Sequence, residues 1–132
     1  MAFGVATVIT NVGKGIAAKR MLGATPTQLE PKYVAIGTGA TSAARTAAAA
    51  DTALSTEVET RATGTGSTVT TTQTNDTFQE VGTVTATASR SVDEAGLFDA
   101  STTGNMFMSA TFNVISLANG DSLQLTMKCQ FT

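Results

Sequence analysis

In the segment 122–132, SLQLTMKCQFT, apolar and polar residues alternate without a break. Leu123, Leu125, Met127, Cys129 and Phe131 take one set of places, and Gln124, Thr126, Lys128 and Gln130 take the other. A strict period of two is the pattern of a β-strand with one dry face and one wet face, and no helix can satisfy it. The chain must therefore build a sheet that packs a core on one side.

Upstream segments repeat the pattern less strictly. MFMSATFNVI (106–115) places Met106, Met108, Ala110 and Phe112 on one face, and EAGLFDA (94–100) reads as a short apolar strand. TRATGTGSTVTTTQTND (60–76) ends in Asn-Asp, a turn pair. TFQEVGTVTATASRSV (77–92) answers it as a second hairpin strand, with Phe78, Val84 and Ala86 on one side. KYVAIGTG (32–39) adds another strand, because Pro31 disfavours helix before it and Tyr33, Val34 and Ile36 favour extended backbone. Five or six strands joined by short turns predict a mainly β fold, an antiparallel β-sandwich or a jelly-roll-like barrel, in a single domain spanning 1–132.

Helix is expected only in the first half. Val5, Val8, Ile9, Val12 and Ile16 fall at helical spacing, with Asn11 as a cap and Gly23 as a left-handed stop, so a short helix is predicted over about 10–23. The Ala-rich stretch over about 40–60 has helical propensity but little apolar area, and it reads either as a helix or as an extended arm.

Composition narrows the function. The 132 residues contain no histidine and one cysteine, which removes the common general base, the usual zinc, copper and haem ligand sets, and any intrachain disulfide. No enzyme activity, cofactor or metal is expected. The net charge is −2 with eight basic residues, so no basic field draws the chain to nucleic acid. No run reaches transmembrane length, and the first residues lack the order of a secretory signal, so synthesis in a reducing cytoplasm without a membrane partner is expected. Charged residues make up only 14% of the chain, a level suited either to a threonine-covered β surface or to an exterior that lies against other subunits.

Gly37-Thr38-Gly39 follows a strand as a dinucleotide fingerprint does, but Ser42 stands where the third glycine belongs and the surroundings read antiparallel. Gly37 and Gly39 are read instead as a hinge releasing the Ala-rich arm. The acidic pairs Glu57/Glu59 and Asp93/Glu94 read as solvated, whereas Asp76, Asp99 and Asp121 sit in turns where a carboxylate bonds backbone amides. Cys129 reads as a small buried hydrophobe. Lys14, Lys19 and Arg20 concentrate charge on the first helix. With Arg45, they are the residues assigned to partner contact, the alternative being a solvated helix face.

Taken in order, ITNVGKGIAAKRMLG, KYVAIGTGA, ADTALSTEVETR, TNDTFQEVGTVTA, EAGLFDA, GNMFMSATF and NGDSLQLTMKCQF resemble a group of small tailed-bacteriophage virion proteins. Members are described as head decoration (cement) proteins or as tail-fibre-like structural proteins. The resemblance implies a β-rich, non-enzymatic, oligomeric virion component made in the host cytoplasm. The leading expectation is a trimeric capsid decoration protein that bridges neighbouring subunits, with the major capsid protein or other virion proteins as partners. The alternatives are a tail-fibre or baseplate attachment module, or a carbohydrate-binding β module in host attachment.

Overall fold

The computed structural model describes residues 6–23 and 29–132. The elements run β1 (Ala6–Ile9), α1 (Asn11–Met21), β2 (Tyr33–Gly37), β3 (Glu57–Thr63), β4 (Thr65–Val69), β5 (Thr77–Thr85), β6 (Arg90–Phe98), β7 (Met106–Leu117) and β8 (Ser122–Gln130). They form two antiparallel sheets, ordered β1-β7-β6-β2-β3 and β4-β5-β8, packed as the expected sandwich with one short helix.

The alternation in 122–130 sets the register of the smaller sheet. β5 and β8 pair without a shift from Thr77 opposite Gln130 to Thr85 opposite Ser122. A one-residue slip would turn Leu123, Leu125 and Met127 out to water, which is why the pattern holds the register. Phe131 departs from the expectation: it lies beyond the strand end and is half exposed. Between the sheets, Val34, Leu97, Met108, Ala110 and Met127 pack with Phe78 and Leu125, and Ile36, Val84, Val92 and Leu117 continue the core.

The threonine-rich run from Glu57 to Val69 is not the single hairpin strand expected. It divides at Gly64, with β3 in the larger sheet and β4 in the smaller. Gly64 N–H donates to the Lys32 carbonyl at 2.7 Å, and a Cβ there would lie 2.9 Å from the Val81 carbonyl. Only glycine lets the chain change sheets in one residue at this distance.

Near the N-terminus two expectations change. Val8 and Ile9 belong to β1, paired with Ser109 and Met108, and the helix cap is Thr10. The Thr10 hydroxyl accepts from Gly13 N–H at 2.9 Å and donates to the Met106 carbonyl, so capping and docking share one side chain. Val12 is exposed, and of the apolar set assigned to the helix only Ile16 is buried; Val5 lies outside the described residues. Gly23, at φ +72, stops the helix as expected.

The turn aspartates behave as their contexts predict. Asp99 accepts from Asn105 N–H and Asp121 from Ala118 N–H, while Asp76 accepts from the N–H groups of Thr71, Thr72 and Gln73 and from the Gln130 side chain. The bond from Gln73 leads the set that holds the Asp76 carboxyl far below its usual range, against a smaller opposing effect of desolvation. Because that pKa is depressed in the fold, its stabilisation is complete above the unfolded value of about 4 and is lost as pH falls through the folded one. Hydrogen exchange should show the tip amides of 71–73 protected at about pH 4, where free aspartate is half protonated, and exposed at neutral pH in Asp76→Asn. Tip opening in the native chain at that pH would mean that the carboxylate does not hold it.

Candidate assembly surface

The Ala-rich stretch is neither a helix nor a released arm. Thr38 N–H donates to the Thr56 carbonyl at 2.8 Å, which closes residues 39–55 into a loop. This loop folds back over the outer face of the larger sheet, where Leu54 packs on Ala35, Phe98 and Met106. Two strands of that sheet are thus dry on both sides, and residues 92–99 are buried without interruption.

The acids expected to be solvated do the holding. Asp93 accepts from the N–H groups of Ala40 (3.1 Å) and Thr41 (2.7 Å), and Glu94 accepts from Thr56 N–H at 3.0 Å. Glu94 is fully buried and Asp93 nearly so. Arg45 bridges the strand and the loop, reaching Glu94 and Asp51 at 2.6 Å each and the Ser55 hydroxyl at 3.0 Å. Asp51 also accepts from the Ser109 hydroxyl at 2.6 Å. Partial burial draws the Asp51 carboxyl upward, but Ser109, Ala48 N–H and the Arg45 charge outweigh it and leave it below the usual carboxylate range. Arg45 is therefore occupied inside the subunit and is not open to a partner.

The two hinge glycines have separate duties. Gly37 pairs with Glu57 on one side and Glu94 on the other, and a Cβ there would lie 2.5 Å from Glu94 Oε1, so its job is close approach. Gly39, at φ +96, makes the turn into the loop. Neither frees a segment. The second acidic pair is also engaged: Glu57 forms a two-bond pair with Arg61, and Glu59 accepts from Arg90 and Thr87. Lys14, Lys19 and Arg20 are each exposed on α1, but at offsets of five and six residues they are spread around the helix and share no single face.

The open side of the sandwich lies elsewhere. β1 covers β7 only from Met108 to Thr111, so the outer edge of β7 beyond Thr111 has no strand beside it among the described residues. β8 is likewise the edge of its sheet. Between these edges runs a groove of about 420 Å³ lined by Phe112, Ile115, Leu123, Leu125 and Met127, with Asn113 and Thr126 at its rim. Unpaired strand edges beside an apolar groove can accept a strand from another chain, with backbone bonds for affinity and side-chain pockets for register. A smaller groove, lined by Ile16, Phe78, Phe107 and Phe131, adjoins the exposed Met21.

A family model described as "Podophage GP4 fiber I protein gp80" matches residues 10–129. The chain belongs to that fibre family. No curated protein and no solved structure matches it. The region matched in the fibre family runs from the cap of α1 to the penultimate position of β8, so it includes the β7 and β8 edges, the groove and the Arg45 loop.

Sequence reasoning missed the open edges, because pairing is set by strands distant in sequence. It also missed Asp93, Glu94 and Asp51. A usable sign was present: two adjacent acids inside SVDEAGLF, an otherwise apolar strand, require buried partners.

Proposed function

We propose that this chain is a non-enzymatic structural subunit of a podophage tail fibre, assembled from several copies through the open side of the sandwich. It is a β-rich virion structural protein, and membership of the fibre family carries the reading. A fibre subunit needs a rigid body and an edge that can self-associate, and this fold offers a packed sandwich with unpaired strand edges. The natural arrangement is a closed ring of copies, a trimer among them, in which one patch meets a different patch on the next copy. The exposed cations Lys14, Lys19 and Arg20 then suit an acidic neighbour in the particle. A head decoration protein could use the same surfaces in another place, so location is the deciding test. Electron microscopy of particles carrying a labelled copy should show label on tail fibres, and label spread over the head would restore the decoration reading.

Association has its own test. Asn113→Lys together with Thr126→Lys charges the groove rim at two exposed positions, where folding stability should change by no more than about 0.5 kcal/mol. Edge lysines oppose strand addition. Light scattering should show self-association weakened at least about tenfold, a loss of about 1.4 kcal/mol. Unchanged association would move the interface off the open side.

A further inference from the structure

Glu80 faces inward from β5, is 1% exposed, and its Oε1 atom has no hydrogen-bond partner among the described residues. A buried carboxylate in that state is costly unless something pairs with it. It borders a cavity of about 210 Å³ whose other walls are Glu30, Pro31, Lys32, Gly64, Gly66 and Phe78. Two glycines make room for the carboxylate beside that cavity. A Cβ at Gly64 would stand 2.5 Å from Glu80 Oε1, and one at Gly66 would stand 2.8 Å from Oε2. Gly66 lies inside a strand, where glycine is unfavourable and marks a close approach, here that of Glu80.

We propose that this cavity is a socket for a cationic side chain, a lysine ammonium or an arginine guanidinium, presented by an adjacent polypeptide and paired with Glu80. The lining selects for that chemistry. Phe78 offers an aromatic face and Pro31 an apolar wall, which suit a cation on a methylene stem. A divalent metal is disfavoured, since it wants about six oxygen ligands and the cavity offers two carboxylates. One of these, Glu30, already meets Lys32 at 3.4 Å. With Glu30 and Lys32 offsetting each other, ionised Glu80 leaves one net negative charge to be matched. The assembly reading bears only on who supplies the cation; the socket itself stands on the geometry of this chain.

The groups facing Glu80 are Glu30 and Lys32. Burial first, and then the Glu30 charge, raise the Glu80 carboxyl above its usual range, with Lys32 opposing. An acid raised in the fold costs stability as pH climbs from its unfolded value through the folded one. A bound cation should reverse that cost, and Glu80→Gln should remove it.

The test is an NMR titration of the full chain with n-butylammonium chloride, balanced against sodium chloride, with calcium chloride as a separate arm. Saturable shifts are expected at Gly64, Gly66 and Glu80, together with a fall in the Glu80 pKa. Binding should weaken at least tenfold in Glu80→Gln and in Gly66→Ala, both checked for native shift dispersion. No saturable shift with butylammonium, equal shifts with sodium alone, or saturation by calcium instead would overturn the socket. The source is read separately in Glu80→Gln. Weaker self-association assigns the cation to a second copy, and normal self-association with poorer incorporation into particles assigns it to another virion protein. Intact association and incorporation would overturn the polypeptide source even where butylammonium binds.

Discussion

Arg45→Ala is expected to destabilise the fold by about 3–5 kcal/mol, the largest effect of any single charge removal in this chain. The magnitude follows from what is left behind. Glu94 has no exposed side-chain surface, and Arg45 is its only ion-pair partner among the described residues. Without the guanidinium, Glu94 must stay charged in a dry site or take up a proton, and Asp51 loses its partner as well. Solvation cannot rescue either acid while the loop stays closed, so the loop over residues 39–55 should open first. Urea unfolding measures the total, and exchange at Ala40, Thr41 and Thr56 reports the loop. A paired substitution, Arg45→Met with Glu94→Gln, should recover much of the loss, because a buried pair replaced by neutral groups of similar size costs little. The contrast is Lys32→Ala: its ion pair with Glu30 is exposed at both ends, and its loss should cost under about 1 kcal/mol. If Arg45→Ala fell in that lower range, the loop would be held by Leu54 packing and not by charge.

The acid limit of the fold points to the same cluster. The Asp51 carboxyl lies below its usual range, so the stability that it adds is present above about pH 4 and fades as pH falls below that. Arg45→Ala should flatten that part of the pH profile only partly, because the Ser109 hydroxyl and the Ala48 N–H, which lower the carboxyl more, remain.

How much of this was legible in the sequence depends on the range of the interaction. β8 was readable because its alternation is local and answers to one core face. The turn aspartates were readable because their backbone partners lie within six residues. The division at Gly64 was not, since a threonine-rich run has the same strand propensity on either side and only the approach of Glu80 and Val81 makes the glycine necessary. Arg45 was assigned to a partner because its acids stand 6 and 49 residues away, the second on a strand whose outer face looked solvated. β1 was hidden in a helical pattern: Val8 and Ile9 fit a period of 3.6 by spacing, but Thr10 ends the strand and caps the helix at once. Low charge was the one global sign that allowed for surfaces covered by something else. Here that is first the chain's own loop and then, by the proposed function, other copies.

Two glycines of α1 give the sharpest test of how the helix is held. Gly13 and Gly15 are both helical, and replacing an exposed helical glycine by alanine normally stabilises by about 0.5–1 kcal/mol. A Cβ added at Gly15 would meet nothing within 4 Å, so Gly15→Ala should show that gain. Gly13 is pressed against β7, and a Cβ there would run into the Phe107 carbonyl oxygen, with Ile9 Cγ1 at 3.1 Å. The carbonyl is backbone and also accepts from Thr10 N–H, so it cannot step aside without loosening the cap. Gly13→Ala should therefore lose about 1–3 kcal/mol, as overpacking against a rigid neighbour does, and shift the whole helix outward. The same chemical change two residues apart should thus move the urea midpoint in opposite directions. Matching stabilisation at both sites would show that α1 does not dock through Gly13. In that case Lys14, Lys19 and Arg20 would not be held in fixed positions on the body, and their role as preformed contacts would fail.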